Sequence, residues 1–199
     1  VLVSLTQLGL DDDTIVIFTS DNGGNNHTSN SPLRAGKCHL YEGGIRVPLI
    51  LCWPEKIEPG TSCSEMVSST DFYPTILDLL DFPLYPDQNL DGVSFAPLLK
   101  GASSLERDTL FWHFPHYMRD EPSSAIRSGD WKLIEFFEDD RLELYNLKED
   151  LGEYINLATK DSDRVEHLHG LLKAWRHEVG AKLPTENPNY DPSKPGINN

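Results

Sequence analysis

The run Thr14-Ile15-Val16-Ile17-Phe18-Thr19 is apolar at nearly every position, the pattern of a strand covered on both faces. That places it in a mostly parallel sheet and the chain in the α/β class. In such sheets ligands gather beyond the carboxyl ends of the strands, and Ser20-Asp21-Asn22-Gly23-Gly24 falls there. Across a loop follow Ala35-Gly36-Lys37 and then Tyr41-Glu42-Gly43-Gly44-Ile45-Arg46-Val47-Pro48. A carboxylate and an amide oxygen at a strand end, with a cation within reach, suit a hard metal ion holding an anionic ester. Asp21 and Asn22 offer only oxygen, which favours calcium or magnesium, whereas a histidine in place of Asn22 would favour zinc. An isolated Asp-Asn-Gly is most often a plain turn, so the later segments carry the argument. Two adjacent glycines imply backbone angles that residues with a Cβ avoid, and Glu42 with Arg46 is read as a pair holding that turn.

Residues 2 to 8 read as the end of a helix stopped by Gly9, and Val47 to Trp53 as a second apolar strand closed by Pro54. Pro74 is tolerated only near a helix start, so the next helix begins at Thr70 or Asp71, with Phe72, Ile76, Leu79 and Leu80 on one face. Residues 83 to 108 read as a connector. Short strands then follow at 124 to 128, 131 to 137 and 142 to 147, an antiparallel meander with turns at Ser128-Gly129-Asp130 and Glu138-Asp139-Asp140. Asp163 with Glu166 resembles a capping box opening a last helix, whose buried face is Val165, Leu168, Leu172, Trp175 and Val179. Pro184 to Asn199 reads as an extended surface tail.

Composition excludes several classes. With 38% hydrophobic residues and mixed charge the chain is globular, and no apolar run is long enough to span a bilayer. A formal net charge of −15 argues against nucleic acid as partner. Any anion site must therefore be locally basic, and Arg34, Lys37 and Arg46 cluster in one segment. Cys38, Cys52 and Cys63 have no metal-type spacing and read as free or buried thiols. Asn26-His27-Thr28 is a glycosylation sequon, meaningful only in a eukaryotic secretory pathway. No signal peptide is visible, which carries no information because the chain opens inside a helix.

Asp-Asn-Gly after a buried strand, a Gly-Lys about fifteen residues on and Tyr-Glu-Gly-Gly-Ile-Arg-Val-Pro resemble the later part of a formylglycine-dependent sulfatase of the alkaline phosphatase superfamily. Asp71 to Leu80, Asp91 to Phe95, Arg127 to Leu133, Leu144 to Leu147, Asp150 and Glu153 extend the match. The resemblance implies that residues 1–105 are the C-terminal part of the catalytic α/β domain and 106–199 a smaller subdomain, an antiparallel sheet with a packed helix. It implies sulfuric ester hydrolysis, with hydrated formylglycine attacking sulfur, the alcohol leaving and sulfate then eliminated. Asp21 and Asn22 would supply part of a calcium site (magnesium being the alternative), and Lys37 would grip the sulfate. Cys38 stands where the family commonly has glycine. Trp112-His113-Phe114-Pro115-His116-Tyr117 interleaves aromatics with histidines, which suits sugar rings and hydroxyls or, equally, a packed strand with satisfied histidines. His113, His116 and Arg34 are the substrate-binding candidates, and sulfated carbohydrate is the expected substrate.

The nucleophile motif Cys/Ser-x-Pro-x-Arg is missing. Cys52-Trp53-Pro54-Glu55-Lys56 ends in lysine, and Asn30-Ser31-Pro32-Leu33-Arg34 begins with asparagine. The chain is thus expected to work with the N-terminal half of the same enzyme, in a periplasmic, secreted or lysosomal-type compartment, and to be inactive alone. Two alternatives stay open: a related phosphodiesterase or phosphonate hydrolase, and a non-catalytic glycan-binding or assembly module.

Overall fold

The computed structural model describes residues 1–189 apart from 26, 55, 86, 89 and 186. The sequon asparagine and most of the expected tail lie outside the described residues. The elements are α1 (Leu2–Leu8), β1 (Val16–Thr19), α2 (Glu42–Ile45), β2 (Leu49–Cys52), a 3-10 turn (Ser69–Asp71) running into α3 (Phe72–Leu79), α4 (Ala96–Leu99), β3 (Thr109–Phe114), β4 (Ser123–Ser128), β5 (Trp131–Phe136), β6 (Leu142–Asn146) and α5 (Ser162–Glu178). Gly9 ends α1 in the left-handed conformation expected of it. No helix among the described residues is long and apolar enough to cross a membrane.

The expected α/β class, small antiparallel sheet and packed helix are all present. β3-β4-β5-β6 form the meander, and Gly129 takes a positive φ of 55° at the first central position of the two-residue β4–β5 turn. Strand alternation gives this sheet two cores. On one face Ala125, Ile134, Phe136 and Tyr145 pack against Leu40 and Tyr41, which arrive from the distant first half of the chain. On the other, Ile126, Leu133 and Leu144 meet Leu168 and Leu172 of α5, each buried leucine contributing about 1.5–3 kcal/mol. Of the segment Trp112 to Tyr117, read as a sugar-facing surface or a packed strand, Trp112 to Phe114 lie in the edge strand β3 (Thr109–Phe114). Its Phe111 stacks on Trp175 of α5 with ring centroids 4.9 Å apart.

Three expectations change. First, α5 is capped by Asp161, whose side chain accepts from the Arg164 N–H at 3.2 Å. Asp163 instead lies in the first turn, where its charge still opposes the helix dipole. Val179 falls beyond the helix and is half exposed. Second, the fully buried residues of α3 are Pro74 and Thr75, and polar contacts from the turn before it hold that side. Asp71 is fully buried, accepts from Ser68 and Val93 N–H, and is gripped at 2.6 Å by both terminal nitrogens of Arg107. Thr75 bridges the Asp71 carbonyl and the Phe95 N–H, while Ile76 and Leu80 stay exposed. Of that apolar row Phe72 and Leu79 are half-buried, while buried hydrogen bonds hold the side that carries Thr75. Third, β1 and β2 pair antiparallel with each other, and Phe18 and Ile50 are each 60% exposed. Described residues do not supply the two-sided cover that the β1 sequence calls for.

The contact of α5 with the sheet has an ionic centre. Glu135 of β5 lies 2.6 Å from Arg176 and 3.0 Å from His169, close but out of hydrogen-bonding alignment. Burial by itself would raise the Glu135 carboxyl, but Arg176 and His169 outweigh it and hold it below the ordinary carboxylate value. A carboxylate held low in the folded state contributes stability above its unfolded value and loses it as pH falls through the folded one. Urea midpoints measured from neutral to acid pH should therefore drop on acidification, and drop less steeply in Glu135→Gln. Parallel profiles for the two proteins would remove Glu135 as the cause.

Candidate active site

Asp21 and Asn22 follow β1 directly, with the Ser20 hydroxyl donating to the Asn22 carbonyl at 2.9 Å to tighten the turn. What fixes their position is glycine. The Gly23 N–H donates to the Gly44 carbonyl at 2.9 Å, and a Cβ on Gly23 would sit 1.7 Å from the Gly43 oxygen. A Cβ on Gly36 would meet the Gly24 carbonyl at 2.3 Å, and one on Gly43 the Arg34 carbonyl at 2.2 Å. Segments 22–24, 34–39 and α2 thus touch backbone to backbone, a separation only glycine permits. Neither Gly43 nor Gly44 has a positive φ. The expectation of unusual angles at this pair was wrong; the need is for close approach.

That stack brings Lys37 to the strand end. Its N–H donates to the Gly24 carbonyl at 3.0 Å, two residues beyond Asn22. Asn30 clamps the same loop, exchanging two hydrogen bonds with Gly24 and donating a third to the Ala35 carbonyl. Lys37 is exposed, and its ammonium makes no hydrogen bond or ion pair among the described residues. Cys38 follows at φ 78°, a left-handed angle that explains the family's glycine there. All three cysteines are free.

The other sequence candidates are placed differently. Arg34 points inward: its guanidinium donates to the Tyr145 hydroxyl at 2.9 Å and the Glu153 carbonyl at 2.8 Å, and lies 3.9 Å from the Tyr41 ring centre. Tyr41 and Tyr145 both donate to Glu143. Burial first, then that carboxylate, pushes both phenols far above their usual range, so neither is a base at neutral pH. Both ring nitrogens of His113 are engaged within the chain, with the Ser124 hydroxyl at 2.7 Å and the Lys182 carbonyl at 2.9 Å. His116 is exposed beyond β3, its ring edge-on to Phe114. Arg46 pairs with Glu42 at 3.4 Å as expected, so among the described residues Lys37 is the cation of its cluster that has no partner. The Cys52 near miss lies opposite Val16, at the end of the ribbon away from Asp21.

Beneath the glycine stack lies a buried ionic group. Glu42 and Glu153 both contact the Lys132 ammonium, at 3.0 and 2.8 Å, and all three are buried. Glu153 also accepts from the Glu42 N–H at 2.7 Å, and Arg127 lies 3.7 Å from Glu42. The Asp130-to-Leu133 segment is thus a core hairpin, as read, with Lys132 fastening α2 to the sheet.

Lys37 opens onto a cleft of about 380 Å³, lined also by Asn25, Thr28, His39, Arg119 and Tyr154. Arg119 and Tyr154 were not singled out from the sequence, and nothing local marks them. They reach the cleft from the β3–β4 connection and from the turn after β6, a proximity only the fold creates.

Comparison with known proteins places the chain in a family. Residues 35–178 match the family described as N-sulphoglucosamine sulphohydrolase, C-terminal; Lys37 lies inside the match, Asp21 and Asn22 outside it. A sulfatase of Formosa agariphila is 41% identical over 84% of this chain and 34% of its own length. The crystal structure of Ps i-CgsB in complex with k-i-k-neocarrahexaose superposes with a TM-score of 0.78 at 27% identity, over 87% of this chain and 39% of that one. The structure of BT4656 with its substrate, D-glucosamine-2-N,6-O-disulfate, gives a TM-score of 0.75 at 28% identity, over 90% and 37% of the two chains. The chain spans about a third of the length of the curated relative it matches. It belongs to the sulfatases, in the family described as N-sulphoglucosamine sulphohydrolase, C-terminal.

Proposed function

We propose that this chain is the C-terminal part of an enzyme that hydrolyses sulfuric esters on sulfated carbohydrate. Residues 1–105 would complete its catalytic α/β domain and 106–199 form the smaller subdomain. The observation that carries this is the backbone tie between Lys37 and Gly24, which fastens the lysine's loop to the backbone two residues past Asn22. The exposed Phe18 and Ile50 also support a longer enzyme, since they leave an apolar ribbon for the rest of the sheet to cover.

Asp21 and Asn22 fit a share of a calcium or magnesium site. Their side-chain oxygens are hard donors with no other partner among the described residues. Those residues contain no group of three or more His, Cys, Asp or Glu that could hold a metal, so the remaining ligands would come from elsewhere in the enzyme. When bound, a divalent cation would withdraw charge from the sulfate. Lys37 places its ammonium on the sulfate oxygens and compensates their charge as the ester bond breaks. Formylglycine does not fit this chain, which has no Cys/Ser-x-Pro-x-Arg; it would come from the N-terminal half. The neocarrahexaose in complex with one structural neighbour and the D-glucosamine-2-N,6-O-disulfate named as substrate of another support the substrate class. A periplasmic, secreted or lysosomal-type location belongs to the same proposal.

Sulfate release by the full-length enzyme tests it. Lys37→Ala should lower kcat/KM on the order of 10²–10³-fold with the fold intact, and residues 1–199 alone should release none. Turnover by this chain alone, or an unaffected Lys37→Ala enzyme, would sink the assignment. A preference for phosphate over sulfate esters would favour the phosphodiesterase alternative. Glycan binding that survives both calcium removal and Lys37→Ala, without turnover, would favour a binding module.

A further inference from the structure

The cleft beside Lys37 carries a charge pattern at odds with the rest of the chain. Acidic residues outnumber basic ones 32 to 17, yet among the described residues no Asp or Glu lines this cleft, while Lys37 and Arg119 both do. Arg119 is exposed, and its guanidinium makes no ion pair or hydrogen bond among the described residues. Elsewhere, by contrast, Arg34, Arg107, Arg141, Arg164 and Arg176 are each bound by the chain's own groups. Two cations facing one concavity of glycan size, with no acid on its lining among the described residues, make a site for an anion carrying more than one charge.

Tyr154 gives the cleft a flat apolar wall. It is 79% exposed but not loose. The preceding residue, Glu153, is locked by Lys132 and by the Glu42 N–H, and the following one is held by Ile155 N–H donating to Asp150 at 2.8 Å. The ring itself lies over Gly152, where a Cβ would come within 2.1 Å of it. A tyrosine ring held open to solvent between two anchored residues is suited to stack on a sugar ring. Asn25 and Thr28 add hydrogen-bonding groups on the same lining.

We infer that this cleft reads a second anionic substituent on the glycan: Lys37 takes the sulfate being cleaved, Arg119 a neighbouring sulfate or carboxylate, and Tyr154 stacks on the ring between them. The inference rests on the hydrolase function proposed above and adds what selects its substrate. Arginine suits this role because its planar fork matches the two oxygens that sulfate and carboxylate present alike.

The test uses the full-length enzyme as wild type, Arg119→Ala, Arg119→Lys and Tyr154→Ala. The probes are D-glucosamine-2-N,6-O-disulfate, N-acetyl-D-glucosamine 6-O-sulfate, and a monosulfated disaccharide containing a uronate. Arg119→Ala should shift the preference for disulfate over monosulfate by about 10- to 100-fold, through KM rather than kcat, with partial recovery in Arg119→Lys. A matching shift for the uronate probe would extend the site to carboxylates, and no shift there would confine it to sulfate. Tyr154→Ala should raise KM for all three sugars. Equal losses on disulfate and monosulfate in Arg119→Ala, or none, would overturn the inference. If wild type releases no sulfate from any probe, the hydrolase function fails. Calorimetric titration with the disulfate then decides the cleft: weaker binding in Arg119→Ala upholds it, and unchanged or absent binding overturns it.

Discussion

Replacing Lys132 with methionine should destabilise the chain by about 3–5 kcal/mol, read as a fall in the urea midpoint. Lys132 is fully buried between two buried carboxylates. Methionine keeps much of the volume and removes the charge. Glu42 would retain Arg46 and Arg127 at 3.4 and 3.7 Å. Among the described residues Glu153 would keep only the Glu42 N–H, so the penalty falls on Glu153. Adding Glu153→Gln to Lys132→Met should recover most of the loss, because no unpaired charge then remains inside.

The pH dependence gives a second readout. Burial raises the Glu153 carboxyl above its ordinary value even though Lys132 opposes it. A group raised in the folded state contributes stability below its unfolded value and loses it as pH rises through the folded one. The Lys132→Met penalty should therefore be largest at neutral pH and shrink as Glu153 takes up its proton on acidification. A penalty independent of pH would mean that lost packing, not the stranded carboxylate, is the cause.

How much of this was legible follows the range of the interactions. The hairpin turns, the Gly9 stop and the Asp-Asn-Gly strand end are local, and local sequence shows them. Lys132 had a signal too, since alternation puts it on the face of Ile134 and Phe136. What the sequence does not carry is the partner, Glu153, which arrives from beyond β6. The α3 face went the other way: apolar spacing was present, but Arg107 gripping Asp71 across 36 residues decides which side is inside. The cleft with Arg119 and Tyr154 was invisible because three remote segments form it. The glycine pair was located correctly and explained wrongly, since backbone contact leaves the same residue as unusual angles do.

Gly23→Ala puts that explanation to the test and should stop the site from forming. The added Cβ would lie 1.7 Å from the Gly43 oxygen, 2.7 Å from its carbonyl carbon and 3.0 Å from the Gly44 Cα, whereas ordinary contact begins at 3.4 Å. Every obstructing atom is backbone. Gly43 cannot swing aside, because its N–H is bound to the Arg34 carbonyl at 2.8 Å and its neighbour Glu42 is fixed by Lys132. The strand end must move instead, by well over an ångström, carrying Asp21 and Asn22 with it. Overpacking of this severity should cost at least about 3 kcal/mol. A misplacement of about 1 Å costs on the order of 10²-fold in rate, so sulfate release by the full-length variant should fall to background. Gly180→Ala is the matched control. Gly180 has φ +63° with nothing within 4 Å of a Cβ, so only backbone strain of about 1 kcal/mol is added. Equal effects of the two substitutions would mean that backbone freedom at Gly23, not close approach to α2, is what the site requires.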